Sequence, residues 1–307
     1  MKQIAIIAPT ASGKTALSIQ LAHQTNSIIL SLDSLSIYKE IDVSSAKPTF
    51  IEREGIEHFG IDEIYPNEKF DVMQFIEIYQ KAKDFALHNS KNIIIVGGTG
   101  FYLKAMIDGI SPSPEISQSI KEEASILLQN LPKAYEFLYQ LDSEYMKGIK
   151  PEDSYRIEKA LELYLQTSQI PTLYFQNNPP IPTIPKGDIG LFEIVWDREI
   201  LRQRIALRTK IMIENGLLDE VIYLEQKYTR DIPPMGAIGL KEGLEYLDGK
   251  IDRKRLQEKI AFATNGLAKR QRTFNNGQFE NVIKGDGETL KSEILKYFNR
   301  SLDTIKG

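Results

Sequence analysis

The octapeptide Ala8-Pro9-Thr10-Ala11-Ser12-Gly13-Lys14-Thr15 holds the residue types of a phosphate cradle. Its last three residues complete the pattern G-x-x-x-x-G-K-[ST], and Ala8 stands where that pattern begins with glycine. Backbone N–H groups in a tight turn that opens a helix make a concave anion site. Lys14 adds a point charge for the outer phosphates, and the Thr15 hydroxyl can ligate magnesium. Alanine is the smallest departure from the leading glycine, and Pro9 stiffens the turn. The loop fixes the charge of the ligand and leaves the reaction open. Asp33, at the end of the apolar run 27–33, has three possible roles. It can hold magnesium, act as a general base toward an acceptor, or cap the turn Asp33-Ser34-Leu35-Ser36. The run Gly97-Gly98-Thr99-Gly100 offers a second set of N–H groups and the Thr99 hydroxyl, or a glycine turn for close strand-to-helix packing.

These groups do chemistry together only if a scaffold brings them to one edge. Residues 3–8 form a short, continuous apolar run rich in β-branched residues, the signature of a buried parallel strand. Residues 14–22 follow as a helix with Ala16, Leu17 and Leu21 on its inner side. A second strand is expected at 27–33, a helix at about 68–88, and a third strand within 92–100 that runs into the glycine turn. Strands alternating with helices predict an α/β fold: a P-loop NTPase-like core on a parallel sheet. The ends of parallel strands carry the site, which places Asp33 and Thr99 beside the phosphate loop. After Gly109 the pattern changes to a Pro/Ser linker at 111–117, three helical segments and a proline-rich stretch that includes Pro179, Pro180 and Pro182. A strand-like run at 188–196 returns to the sheet. The expected organisation is therefore a catalytic core of residues 1–110 and 188–307, with C-terminal helices, and an all-helical insertion at 111–187. Helices are expected at 198–215, 217–228, 239–247 and 252–274, with a short strand at 279–283 before a final helix.

Composition narrows the class. At 307 residues, 42% apolar and 26% charged, the chain reads as soluble and globular. It has no cysteine, so disulfides and thiolate metal sites are excluded, and its three histidines have no metal-site spacing. No apolar run reaches the roughly 18 residues of a membrane helix, and the N-terminus lacks a signal-peptide layout, which points to the cytoplasm. The net charge of −4 weighs against non-specific nucleic-acid binding, but two basic runs in the C-terminal third weigh for it. The first holds Arg198, Arg202, Arg204, Arg208 and Lys210; the second holds Lys254, Arg255, Lys259, Lys269, Arg270 and Arg272 among others. An N-K-x-D guanine motif is absent, and Arg156 is the single arginine of the insertion, which makes it a poor nucleotide-kinase lid.

In order along the chain, APTASGKT, DSLSIYKEIDVSSAKP, EHFGIDE, IIIVGGTGFYLKA, DSYRIEKALELYLQT, RIALRTKIMIENGLLDEV, GAIGLKEGLEYLDG and AKRQRTF resemble the motifs of the tRNA dimethylallyltransferases (isopentenyltransferases). The resemblance spans Ile4 to Phe274. It implies transfer of a dimethylallyl group from dimethylallyl diphosphate to the exocyclic amine of an adenosine. That adenosine would lie 3′-adjacent to the anticodon, in tRNAs reading codons that begin with U, and pyrophosphate would leave with help from Mg2+. By resemblance, Asp33 is the general base, Thr99 hydrogen-bonds the bridging oxygen or the flipped nucleotide, and Arg208 clamps pyrophosphate. Ala8 to Thr15 hold the diphosphate, with Thr15 on the metal. Asp33, Ser34, Leu35 and Ser36 touch the flipped base and its neighbours. Lys121, the run Tyr155-Arg156-Ile157-Glu158-Lys159, the run Gly236-Ala237-Ile238-Gly239-Leu240-Lys241, and Lys269 with Arg270 face the anticodon stem-loop. The enzyme is expected to act as a monomer without a membrane. Four positions depart from the family pattern: Ala8 for glycine, Ser36 for glutamine, Leu240 for tyrosine and Phe274 for tryptophan. Competing readings are an adenylate isopentenyltransferase using a free nucleotide, a small-molecule kinase, and a phosphate-binding switch without chemistry.

Overall fold

The computed structural model describes residues 1–300, so the last seven positions of the expected core segment lie outside the described residues. The chain divides into two compact units, one of Met1–Ile107 with the segment from Ile184 onward, the other Asp108–Thr183. The strands are β1 (Gln3–Ile7), β2 (Ser27–Leu32), β3 (His58–Phe59), β4 (Asn92–Gly97), β5 (Gly190–Ile194) and β6 (Ile283–Gly285). The helices begin with α1 (Lys14–Thr25), α2 (Val72–His88) and α3 (Gly100–Asp108). The second unit holds α4 (Gln118–Leu128), α5 (Leu131–Leu141), α6 (Ser143–Met146), α7 (Ser154–Thr167) and α8 (Pro171–Asn177). The chain then runs through α9 (Arg198–Glu214), α10 (Leu217–Tyr228), α11 (Leu240–Leu247), α12 (Arg253–Gln278) and α13 (Gly287–Asn299).

The six strands form one all-parallel sheet in the order β3-β2-β4-β1-β5-β6. Its strands read as unbroken apolar runs because both faces are covered. Ala5, Ile7, Ile93 and Ile95 face a core built with α2, α3 and α9 to α12. Ile4, Ile6, Ile94 and Val96 face α1 and α13 through Leu17, Leu21, Leu290 and Ile294. Each buried Ile, Leu or Val among them contributes about 1.5–3 kcal/mol by leaving water. The second unit has its own core of Ala124, Ala134, Leu138, Met146, Ile149, Ile157, Ala160 and Leu161.

Register sets the height of the site. Leu32 and Ile7 both pair with Gly97, and Ile7 also pairs with Glu193, so β2, β4, β1 and β5 end at nearly the same level. Asp33, Thr99 and the phosphate loop all leave the sheet from that edge. Gly97 is required there, since an added Cβ would lie 2.0 Å from the Leu32 carbonyl oxygen. That oxygen also accepts the Thr99 N–H at 3.1 Å. Gly97→Ala is therefore expected to cost about 1–3 kcal/mol or more by forcing β2 from β4. Thermal unfolding checks it, and an unchanged midpoint would contradict this packing.

Three expected boundaries move. Helix α2 starts at Val72, because Asp71 accepts the N–H groups of Met73 and Gln74 and forms a capping box with Gln74. Helix α12 continues to Gln278, with Asn275 buried and donating to Glu193 at 3.4 Å. The last strand is accordingly not 279–283 but Ile283–Gly285, paired with Phe192–Ile194.

Candidate active site

The phosphate loop joins β1 to α1 and takes two left-handed turns, at Ala11 (φ 63°) and Gly13 (φ 88°). Ala8 is not among the positive-φ residues; it is fully buried, and its N–H donates to the Gly97 carbonyl at 3.3 Å. The backbone at Ala8 therefore does not call for glycine, which explains how that departure is accommodated. Ser12 is buried, and its Oγ has no hydrogen-bond partner among the described residues. The N–H groups of Ser12 and Gly13 likewise make no protein hydrogen bond among the described residues. An anion in the loop satisfies such donors.

Lys14 and Arg208 stand at a junction of cavities. A cavity of about 560 Å³ runs along the loop and α1, walled by Ser12, Lys14, Thr15, Arg204 and Arg208 and by apolar Ile19, Leu207 and Ile211. A second, of about 340 Å³, shares Lys14 and Arg208 and adds Asp33, Thr99, Met212 and Leu267. Between them a small space of about 50 Å³ is also lined by Lys14, Asp33 and Arg208. Lys14 is half-buried, and its burial, with the neighbouring Arg208 charge, brings its pKa from the usual 10.5 down to about 8, against the opposing pull of Asp33. Burial also lowers the Arg208 pKa, again opposed by Asp33. Two cations and one carboxylate thus share a desolvated corner.

This corner gives a signed expectation. If the loop holds a diphosphate, as the resemblance implies, the charged form of Lys14 is the one that binds it, and affinity is insensitive to this group below about pH 8. Above that, affinity should fall by up to about tenfold per pH unit until the pKa of the complex is reached. Calorimetry with an unreactive thiolo-diphosphate analogue checks this, and a flat profile from pH 7 to about 10 would contradict it.

Asp33 does two things at once. Its Oδ1 accepts the N–H groups of Leu35 at 2.9 Å and Ser36 at 3.2 Å, capping the turn. Its Oδ2 has no hydrogen-bond partner among the described residues. Thr99 lies across the same cavity, at the head of α3.

The other expected residues divide into groups. Asp33, Ser34, Leu35, Thr99, Gly236, Ala237, Ile238 and Arg270 all line the 340 Å³ cavity. Ser36 is buried and lines the small space instead. Leu240 and Ile157 are fully buried, Leu240 in the main core and Ile157 in the core of the helical unit. Their side chains are therefore removed from any nucleic-acid-facing set, and Gly239 is also covered. Lys241 is exposed on α11. Lys269 lines a separate cavity of about 560 Å³ with Arg198, Arg202 and Arg272. In the second unit Lys121, Tyr155, Arg156 and Lys159 are exposed and Glu158 half-exposed, with Lys159 paired to Glu162 at 2.7 Å.

Some contributors escaped sequence reasoning. Glu220 on α10 accepts the N–H groups of Asp42 (2.6 Å), Val43 (2.7 Å) and Ser44 (2.9 Å), and the Ser44 hydroxyl (2.7 Å). It fixes a loop that brings Ser44 and Ser45 to one cavity and Ala46 and Pro48 to the other. Gln271 accepts the Thr10 N–H at 3.1 Å. Arg204 and Trp196 grip the loop carbonyls, as described below. Among the described residues no three acidic or histidine side chains gather as a metal cage, and no helix is long and apolar enough to cross a membrane.

The family described as IPP transferase matches residues 36–278. The chain is 57% identical over 299 residues to the tRNA dimethylallyltransferase of Aliarcobacter butzleri, covering 97% of this chain and 100% of that one. It is 52% identical to that of Sulfurovum sp., covering 96% and 98%. Among solved structures, a tRNA isopentenylpyrophosphate transferase from Bacillus halodurans superposes with a TM-score of 0.72 at 27% identity, covering 99% of this chain and 97% of that one. A eukaryotic dimethylallyltransferase acting on tRNA superposes with 0.79 at 25% identity, covering 94% and 75%. With the family match across most of its length and relatives more than half identical from end to end, the chain belongs to the IPP transferase family.

Proposed function

We propose that this chain is a tRNA dimethylallyltransferase that moves a dimethylallyl group from its diphosphate to the exocyclic amine of the adenosine 3′-adjacent to the anticodon. One observation carries the reading: Lys14, Arg208 and Asp33 stand where two cavities meet. The loop cavity combines cations with an apolar wall, which suits a short allylic chain bearing a diphosphate. The other, lined by hydroxyls, Met212 and Leu267, suits a base flipped from its stack.

The amine nitrogen attacks the allylic carbon as the carbon–oxygen bond to diphosphate breaks. Negative charge grows on the departing pyrophosphate, where Lys14, Arg208 and the loop N–H groups meet it in a dry corner. The nitrogen gains positive charge, and Asp33 Oδ2 takes its proton while Oδ1 keeps the turn in place. Thr99 orients the acceptor or the bridging oxygen from across the cavity.

Magnesium fits this site as a diphosphate partner. Thr15, exposed at the start of α1, offers a hydroxyl with no hydrogen-bond partner among the described residues. With no acidic cage among the described residues, the ion's other ligands would be diphosphate oxygens and water, as Mg2+ prefers. When bound, it supplies further neutralisation of the leaving group.

The exposed cations of the helical unit, and Lys241, Lys269 and Arg270 of the core, support a tRNA acceptor, since phosphate contacts come from such side chains. The test is acceptor choice, with labelled dimethylallyl diphosphate offered to unmodified tRNA, free AMP or no acceptor. Label in tRNA alone is expected, and label entering AMP in preference would establish the free-nucleotide reading instead.

A further inference from the structure

Two peptide planes of the phosphate loop are held by the side chains of Trp196 and Arg204, the second of which also lines the loop cavity. Trp196, the only tryptophan of the chain, follows β5, and its Nε1–H donates to the Ser12 carbonyl at 2.9 Å. Arg204, two turns into α9, donates through Nε to the Ala11 carbonyl at 2.7 Å. The same guanidinium lies over the Trp196 ring, 4.7 Å from its centroid, and Arg204 has no acidic partner among the described residues. Ala11 and Gly13 are both left-handed, so neither helix nor sheet fixes the Ser12 segment between them. In a planar trans peptide, holding the carbonyl on one side turns the next N–H to the other. Arg204 thereby sets the direction of the Ser12 N–H, and Trp196 that of the Gly13 N–H.

Those two N–H groups are among the donors left without protein partners. Trp196 lines the cavity behind the loop, with Pro9, so the Gly13 N–H is turned from that cavity toward the one beside Lys14. Arg204 also closes the space over Gly13, where an added Cβ would lie 3.3 Å from its Nη2. The basic run of α9 is thus not uniform. Arg202 is exposed and pairs with Glu199, whereas Arg204 is turned inward against the loop.

We infer that Trp196 and Arg204 form a brace that holds the phosphate loop in its diphosphate-binding conformation, and that Trp196 emission reports occupancy of the loop. The inference rests on the loop being the diphosphate site. The two residues are positioning residues, acting through the peptides of Ala11 and Ser12. The brace holds Ala11 in a left-handed conformation that alanine disfavours.

The experiment uses the full chain with magnesium and inorganic pyrophosphate, read by tryptophan emission and, separately, by calorimetry. In the wild type, emission is expected to change saturably with the calorimetric midpoint. Arg204→Lys keeps the charge but loses the flat guanidinium and the Nε donor; Trp196→Phe keeps a ring but loses the N–H. Each is expected to weaken pyrophosphate binding by about threefold to tenfold, the worth of one net hydrogen bond, while tRNA affinity stays unchanged. Lys14→Ala is the control for the site itself. If wild type binds no pyrophosphate, or Lys14→Ala binds it equally, the diphosphate reading of the loop fails. If that control loses binding but the brace variants bind as wild type, or wild-type emission stays flat through saturation, the brace is overturned. The emission result stands without any variant, so a variant that fails to fold leaves the inference exposed to refutation.

Discussion

Asp33→Asn is expected to lower kcat by about 10²- to 10⁴-fold, the range for losing a general base, with tRNA affinity changed by less than about twofold. The asparagine is chosen because of what Oδ1 does. That oxygen accepts two backbone N–H groups and holds the turn through Leu35 and Ser36. Asparagine keeps an acceptor for the turn and loses the carboxylate at Oδ2. Alanine would lose both, and its defect would mix a missing base with a displaced loop. Single-turnover transfer to tRNA, with filter binding of the same tRNA, checks the pair. Equal losses of turnover and affinity would show that Asp33 works through the turn or through binding.

Lys14→Ala is expected to cost about 10²- to 10³-fold in kcat, with a rise in the KM for dimethylallyl diphosphate. Its ammonium sits beside Arg208, and burial first and that neighbouring charge second bring its pKa down to about 8. A diphosphate reverses that balance, and the growing charge of a leaving pyrophosphate reverses it further. The effect on kcat should therefore exceed the effect on KM. Steady-state kinetics with varied donor and saturating tRNA separate the two. A change in KM alone would mean that Lys14 binds substrate and transition state equally.

Much of this site is legible in the chain. The loop declares itself by residue type and spacing, and strand–helix alternation is enough to put Asp33 and Thr99 on its edge. Arg208 is different: it arrives on α9, far along the chain, and only a family resemblance singles it out. The two oxygens of Asp33 show why its role stayed open in the sequence. Capping and catalysis were treated as alternatives, and the geometry accommodates both. Arg204, Trp196, Gln271 and Glu220 leave no local pattern, because each acts on a partner chosen by tertiary packing. Arg204 in particular sits in a basic run in which Arg198, Arg202 and Lys210 are exposed. Ile157 did carry a signal, since Ile157, Ala160 and Leu161 share one helical face and pack in the same core. Helix α12 runs past the expected end at 274, because Asn275 is buried within the helix and turned toward Glu193.

The central claim is that the phosphate loop grips a leaving group whose phosphorus is never attacked. Its most direct test is dimethylallyl diphosphate carrying tritium in the allyl group and radiophosphorus in both phosphates, incubated with tRNA and enzyme. The account predicts tritium in tRNA, no radiophosphorus in tRNA, and radiophosphorus released as pyrophosphate in equal amount. Radiophosphorus in tRNA, or released dimethylallyl alcohol with no tritium in tRNA, would contradict it.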